Sequence, residues 1–125
     1  MSGKRILLVD DDEDIRAVAG LALRRVGGHE VESAPSGPAA LDALDGGEFD
    51  VVLLDIQMPG MDGRSTLDAI RSGDAGRDVP VVFLTASVQA HERRELEQLS
   101  VAGLIAKPFD PMTLSEQVAS IMGWS

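Results

Sequence analysis

The segment Val51-Val-Leu-Leu-Asp55 indicates the fold more clearly than any other stretch of this chain. Its four consecutive apolar residues precede a carboxylate, and none of the four is polar, as alternate residues would be in a strand with one solvent-exposed face. Such a run is typical of a parallel strand that is covered on both faces. Similar runs occur at Ile6–Val9, Val81–Leu84 and Gly103–Ala106, and a weaker fifth strand is predicted at His29–Ala34.

The segments between these runs carry apolar residues at helical spacing. In the first segment the predicted buried face consists of Ile15, Val18, Ala19, Ala22 and Val26. Four further helices are predicted around residues 40–44, 67–70, 96–99 and 114–122, the last ending at Gly123. Strands that alternate with helices predict an α/β fold, with a doubly wound five-stranded parallel sheet flanked by five helices. We expect residues 1–125 to form a single domain with no output domain.

Length, charge and composition exclude several functional classes. The chain has 125 residues, which suits one domain, and its net charge of −10 disfavours nucleic acid and anionic membranes as partners. It contains no cysteine, so disulfides and thiolate chemistry are excluded. No stretch approaches the ~20 apolar residues of a membrane span, and the expected location is the cytoplasm.

Polar residues follow the predicted central strands. Asp10-Asp11 follow the first strand, Asp55 the second central strand, Thr85 the next and Lys107 the last. The carboxyl ends of parallel strands share one edge of a sheet, where open α/β sheets bind ligands. Strands also end in polar residues simply on reaching solvent, which explains any one of these residues but not the gathering of three carboxylates.

Three close carboxylates repel one another unless a cation lies among them. All-oxygen ligands suit Mg²⁺, with Mn²⁺ as a substitute, and the charges of the three aspartates, the ion and Lys107 then cancel. A carboxylate is already ionised at neutral pH, so it can act as a nucleophile without a general base. A phosphoryl group on Asp55 would replace one negative charge with about two, which the metal and the lysine could hold.

Four motifs, spread over nearly the whole chain, resemble those of the receiver domains of two-component response regulators. They are Ile6-Leu-Leu-Val-Asp-Asp11, Leu54-Asp-Ile-Gln-Met-Pro-Gly-Met-Asp-Gly63, Leu84-Thr-Ala86 and Ala106-Lys-Pro-Phe109. All four in this order and spacing are highly specific. The resemblance implies a flavodoxin-like sheet of strand order 2-1-3-4-5, as in single-domain chemotaxis regulators.

The resemblance implies roles for the residues that match these motifs. Asp55 resembles the phosphoacceptor, Lys107 the phosphate-binding cation, and Thr85 and Ala86 the residues that contact the phosphoryl group. The bond between Lys107 and Pro108 resembles one that is cis in this family.

A metal site is implied in the same way. Asp11 resembles a direct Mg²⁺ ligand beside Asp55, and Asp10 one that acts mainly through water. Gln57 occupies the position that supplies a backbone carbonyl to the metal.

The implied function is a phosphorylation switch. A sensor histidine kinase or a histidine phosphotransfer protein would pass a phosphoryl group to Asp55, and an unidentified downstream protein would read the change. Such a protein catalyses its own modification and turns over no external substrate, so no enzyme activity of the ordinary kind is expected.

Two other functions compete with this interpretation. A receiver-like interaction module that is never phosphorylated would have no need for the complete set of acidic residues, threonine and lysine. The run Asp10-Asp11-Asp12 also contains the Asp-x-Asp pattern of Mg²⁺-dependent aspartyl-phosphate phosphatases. Those enzymes typically have Thr or Val where this chain has Asp14, and 125 residues leave little room for a substrate-selecting cap.

Local features lead to further expectations. Asp12 to Asp14 are predicted to begin a helix, Asp62 to cap another, and Trp124 to pack loosely at the chain end. Receiver domains commonly carry Tyr or Phe three residues before the lysine, whereas this chain has Leu104. We therefore expect an altered coupling to the surface formed by the fourth helix, last strand and last helix.

Overall fold

A computed structural model describes residues 3–73, 77–86 and 90–124 of the protein. Within these residues the chain alternates between strands and helices in the predicted order. The strands are β1 Arg5–Val9, β2 Glu30–Ala34, β3 Val51–Asp55, β4 Val81–Thr85 and β5 Gly103–Ala106. The helices are α1 Glu13–Arg25, α2 Gly37–Gly46, α3 Gly63–Ser72, α4 Ala90–Glu97 and α5 Leu114–Met122.

The five strands form one parallel sheet in the order β2-β1-β3-β4-β5. This confirms the expected fold class and strand order. The order reverses between β1 and β3, where Val9 lies beside Leu54 near the carboxyl ends of both strands. A crevice at such a reversal is the usual ligand site of an open α/β sheet.

Alternate residues of each central strand enter two separate cores. Leu7 and Val9 pack with residues of α2, α3 and α4, whereas Ile6 and Leu8 pack with residues of α1 and α5. The same alternation holds in β3 and β4, every residue of which is buried. Both faces of the sheet are therefore covered, which explains the unbroken apolar runs.

The buried face of α1 differs from the predicted one. Val18 and Val26 are 48% and 49% exposed, whereas Leu23, which was not predicted, is fully buried. Ala19 and Ala22 are buried as expected. The apolar positions of this helix form two adjacent stripes, and the stripe that includes Leu23 faces the sheet.

The predicted helix ends are confirmed where the structure shows their caps. The Asp12 side chain accepts hydrogen bonds from the N–H groups of Asp14 and Ile15, and the Asp62 side chain accepts one from Ser65. Gly123 ends α5 with φ of 71°, a left-handed conformation that favours glycine. The fourth helix is shorter than predicted, because it ends at Glu97 and Leu99 lies beyond it.

Trp124 packs against the amino edge of the sheet, contrary to the expectation of loose packing. Its ring centroid lies 5.4 Å from that of His29, and the Lys4 ammonium lies 5.6 Å from the tryptophan ring centroid. The helices formed by the described residues include none that is long and apolar enough to cross a membrane.

Candidate functional site

The carboxyl edge of the sheet brings together the acidic residues that follow β1 and end β3. Asp10, Asp11 and Asp55 each offer a carboxylate oxygen, and these atoms all lie within 4.8 Å of one another. Asp10 is fully buried and Asp55 is 4% exposed, while Asp11 is exposed. The predicted convergence of three carboxylates is confirmed.

Lys107 joins this cluster from the end of β5. Its Nζ atom lies 2.8 Å from Oδ2 of Asp10 and 3.3 Å from Oδ1 of Asp55. The Lys107 side chain is only 17% exposed, so water screens these ion pairs weakly. Residues from three strand ends thus form one charged pocket in which acidic groups outnumber the single lysine.

Both carboxylate oxygens of Asp10 already accept hydrogen bonds. Oδ1 accepts from the Asp12 N–H at 2.9 Å, and Oδ2 accepts from Lys107. The side chains of Asp11 and Asp55 are therefore better placed for direct contact with a cation, and Asp10 for contact through water.

The electrostatics of the pocket favour a cation. Burial, together with the negative charge of Asp10, raises the pKa of Asp55 from 3.8 to about 6, against the opposing effect of Lys107. Burial would lower the pKa of Lys107, but its hydrogen bond to Asp10 and the two carboxylate charges raise that pKa above its ordinary value. The carboxylates are thus less well compensated than the lysine, and a divalent ion would supply the missing positive charge.

The other predicted site residues also lie at this edge. Thr85 is the last residue of β4 and is buried. Its backbone carbonyl accepts a hydrogen bond from the backbone N–H of Lys107 at 2.8 Å. Ala86 follows it and is exposed. The Gln57 N–H donates to Oδ1 of Asp55 at 3.3 Å, while its side chain is exposed.

Gly63 lets α3 begin directly against the acceptor strand. A Cβ atom at this position would lie 2.5 Å from the Asp55 carbonyl oxygen and 2.6 Å from Cα of Ile56. The Gly63 N–H donates to the Ile56 carbonyl at 2.8 Å. The backbone after Asp55 is therefore held by a contact that only glycine permits.

The segment around Lys107 agrees with what the resemblance implied for the bond to Pro108. The Lys107–Pro108 peptide bond is cis. Leu104 lies beside Phe83 in the sheet register and is partly buried against the core shared with α4. An aliphatic side chain therefore occupies the position at which receiver domains commonly carry an aromatic ring.

Arg16 makes a contact at the site that the sequence did not indicate. Its guanidinium Nη1 donates to the backbone carbonyl of Asp10 at 2.7 Å. The only signal in the sequence is a basic residue that closes an otherwise acidic run, and such a residue usually marks a solvated helix face.

Comparisons with known proteins agree with this geometry. The family model described as the response regulator receiver domain matches residues 6–119. The chain is 37% identical to the chemotaxis protein CheY-3 of Vibrio cholerae, over 94% of this chain and 90% of that protein. It is also 38% identical to the sensor protein GacS of Pseudomonas syringae, over 95% of this chain but only 13% of that longer protein.

Solved structures show the same architecture. The chemotaxis response regulator CheY4 of Vibrio cholerae superposes with a TM-score of 0.87 at 30% identity, over 96% of this chain and 99% of that one. The receiver domain of the sensor histidine kinase PA1611 from Pseudomonas aeruginosa, described with a magnesium ion in its active-site cleft, gives a TM-score of 0.83 at 30% identity. That match covers 98% of this chain and 99% of the other. The sequence motifs, the sheet and these matches agree that the chain belongs to the response regulator receiver domain family.

Proposed function

We propose that Asp55 is the phosphoacceptor of this receiver domain and that its phosphorylation switches binding to a partner protein. The observation that supports this proposal best is the pocket in which Asp10, Asp11 and Asp55 meet Lys107. Phosphoryl transfer to a carboxylate requires a nucleophile, oxygen ligands for a divalent cation and a fixed positive charge. These residues supply all three.

The donor set of the pocket fits Mg²⁺. Carboxylate oxygens of Asp11 and Asp55 would bind the ion directly, the backbone carbonyl of Gln57 would add a third oxygen, and Asp10 would act through water. Magnesium prefers such all-oxygen sites and keeps several of its waters. When bound, the ion would neutralise negative charge that develops on the phosphoryl oxygens. The magnesium described for the PA1611 receiver domain supports this choice of ion.

The transfer step uses an ionised carboxylate and a phosphohistidine donor. An Asp55 oxygen would attack phosphorus, forming a P–O bond as the donor's P–N bond breaks. The electron pair of that bond would return to the imidazole nitrogen, and a proton from the solvent would bind there, so that the donor side chain leaves as neutral histidine. Lys107 is already held 3.3 Å from Asp55, so its positive charge would be in place for the transferring group.

The phosphorylated state differs from the resting state chiefly in charge and hydrogen bonding. The phosphoryl group would place about one further negative charge beside Lys107, and new oxygens within reach of the Thr85 hydroxyl and the Ala86 N–H. Movement of the ends of β4 and β5 towards these oxygens would alter the nearby surface that partners contact. A sensor histidine kinase or a histidine phosphotransfer protein would supply the phosphoryl group, and hydrolysis of the acyl phosphate would end the signal.

A small acyl phosphate donor tests the proposal without the cognate kinase. The chain should gain one phosphoryl group by intact mass spectrometry when Mg²⁺ is present and none when a chelator replaces it. Peptide mapping should place the group on Asp55, and Asp55→Asn should remain unmodified. Asp50→Asn is the matched control, because Asp50 lies at the opposite edge of the sheet. Equal labelling of Asp55→Asn and the unaltered chain would refute the assignment.

Leu104 provides a test of how the change is transmitted. We expect the absence of a ring at this position to reduce the response of the surface formed by α4, β5 and α5. Backbone chemical shifts would be compared with and without a phosphoryl mimic, in the unaltered chain and in Leu104→Tyr. The chemical-shift changes should be larger in Leu104→Tyr. Changes of equal size in the unaltered chain would contradict the expectation.

A further inference from the structure

The backbone of Asp10 is held on one side by a helix residue. Arg16 lies in the N-terminal part of α1, where its own N–H donates to the Asp12 carbonyl at 3.0 Å. Its guanidinium reaches back and donates to the Asp10 carbonyl at 2.7 Å. The half-buried Arg16 side chain therefore ties the start of the helix to the end of β1.

Each polar atom of Asp10 has a hydrogen-bond partner. Its N–H donates to the Ala34 carbonyl at 3.2 Å, while its carboxylate accepts from the Asp12 N–H and from Lys107. Its carbonyl oxygen accepts the bond from Arg16. Because a peptide unit is planar, the position of that oxygen fixes the N and Cα atoms of Asp11 as well.

The direction of the Asp11 carboxylate depends on this peptide plane. Asp11 is exposed, yet it offers an oxygen within 4.8 Å of those of Asp10 and Asp55. We propose that Arg16 is a positioning residue that orients the Asp10–Asp11 peptide, so that the Asp11 carboxylate faces the cation shared with Asp55. This inference rests on the proposed function, since it assigns Arg16 a part in assembling the same metal site.

The charge of Arg16 acts in the opposite direction from its hydrogen bond. Residues 10–14 are all acidic, and Arg16 is the single basic residue of the segment 10–16. A positive charge near a cation site weakens cation binding by repulsion. If Arg16 were only a neighbouring charge, its removal would tighten Mg²⁺ binding, whereas removal of a positioning residue would weaken it. The sign of the change therefore separates the two roles.

Titration calorimetry with magnesium chloride provides the test. Arg16→Met keeps the length of the side chain but removes the donor, and we expect its Mg²⁺ affinity to fall by about tenfold. Arg16→Lys keeps a donor and the charge and should recover most of that loss. Arg25→Met, a change at the exposed far end of α1, removes the same charge from the same helix and should bind Mg²⁺ like the unaltered chain.

Denaturant unfolding of each variant without Mg²⁺ shows whether the fold is kept. A purely structural role would lower the free energy of unfolding without changing the affinity of the folded protein for Mg²⁺. Equal or tighter binding by Arg16→Met would overturn the inference and leave the proposed function standing, as would Arg16→Lys binding no better than Arg16→Met. Failure of the unaltered chain to bind Mg²⁺ would overturn both.

Discussion

The two edges of the sheet differ in how well their charged groups are compensated by neighbouring groups. At the amino edge, polar and charged groups have favourable partners: the backbone N–H of Lys4 donates to Nδ1 of His29 at 3.0 Å, and the Lys4 ammonium lies over Trp124. The Arg5 guanidinium lies over the Phe49 ring, and the backbone N–H of Arg5 donates to the Asp50 carboxylate at 2.8 Å. These contacts link the chain ends and loops to the sheet.

At the carboxyl edge, by contrast, three carboxylates surround one lysine. The raised pKa of Asp55 shows that the folded protein disfavours the charge it must carry at neutral pH. An arrangement that lowers stability in the absence of a ligand indicates a binding site rather than a structural one. The difference between the edges therefore predicts effects of different size, and for the carboxylates of different sign, when matched residues are substituted at the two edges.

The largest expected difference is between the two lysines. Lys107→Met removes the ammonium group that lies between Asp10 and Asp55 and should lower the free energy of unfolding by about 3 kcal/mol without Mg²⁺. Lys4→Met removes only a partly exposed contact with Trp124, because the backbone bond to His29 remains, and should cost less than about 1 kcal/mol. Urea unfolding measures both, and equal losses would contradict the contrast between the edges.

A smaller effect, of opposite sign, is expected for the carboxylates. Folding raises the pKa of Asp55 from 3.8 to about 6, so its ionised form disfavours the folded state at pH 7. Asp55→Asn should therefore raise the free energy of unfolding by about 2 kcal/mol in the absence of Mg²⁺. Asp50→Asn should lower it by less than about 1 kcal/mol, because the carboxamide oxygen can still accept from Arg5. A destabilised Asp55→Asn would contradict the account.

The smallest expected effect is a difference in pH dependence. Burial and the nearby Lys4 lower the pKa of His29 below 6.5, so stability from this group is present above 6.5 and is lost as the pH falls. Asp55 acts in the opposite direction, since its contribution to stability increases as the pH falls from about 6 towards 3.8.

The variants His29→Gln and Asp55→Asn separate these two contributions. Without Mg²⁺, His29→Gln should abolish the loss of unfolding free energy that His29 causes as the pH falls below 6.5. Asp55→Asn should abolish the gain that Asp55 causes as the pH falls from about 6 towards 3.8. An NMR titration of the His29 ring should give a midpoint below 6.5. A midpoint above that value would show that the amino edge favours the protonated ring, contrary to the account.

The sheet and the convergence at its carboxyl edge could be predicted because their signals are local. Apolar runs that end in Asp10, Asp55, Thr85 and Lys107 establish both the strands and the edge that their ends share. The resemblance to receiver domains added the strand order and the cis bond before Pro108, neither of which composition or spacing contains.

Features that depend on how elements pack could not be predicted in the same way. In α1 the exposed Val18 and the buried Leu23 are both apolar, so periodicity alone does not choose between the two stripes. Trp124 contacts His29 only because the end of α5 returns to the amino edge. The bond from Arg16 to the Asp10 carbonyl depends on the turn that leads into α1, which side-chain types do not specify.

The central claim is that the acidic cluster at the carboxyl edge binds a divalent cation through Asp55. Calorimetric titration of the unaltered chain with magnesium chloride at pH 7 tests it most directly. The account predicts one Mg²⁺ per chain, with binding lost in Asp55→Asn and kept in Asp50→Asn. Absence of binding by the unaltered chain, or equal affinities for it and Asp55→Asn, would contradict the account.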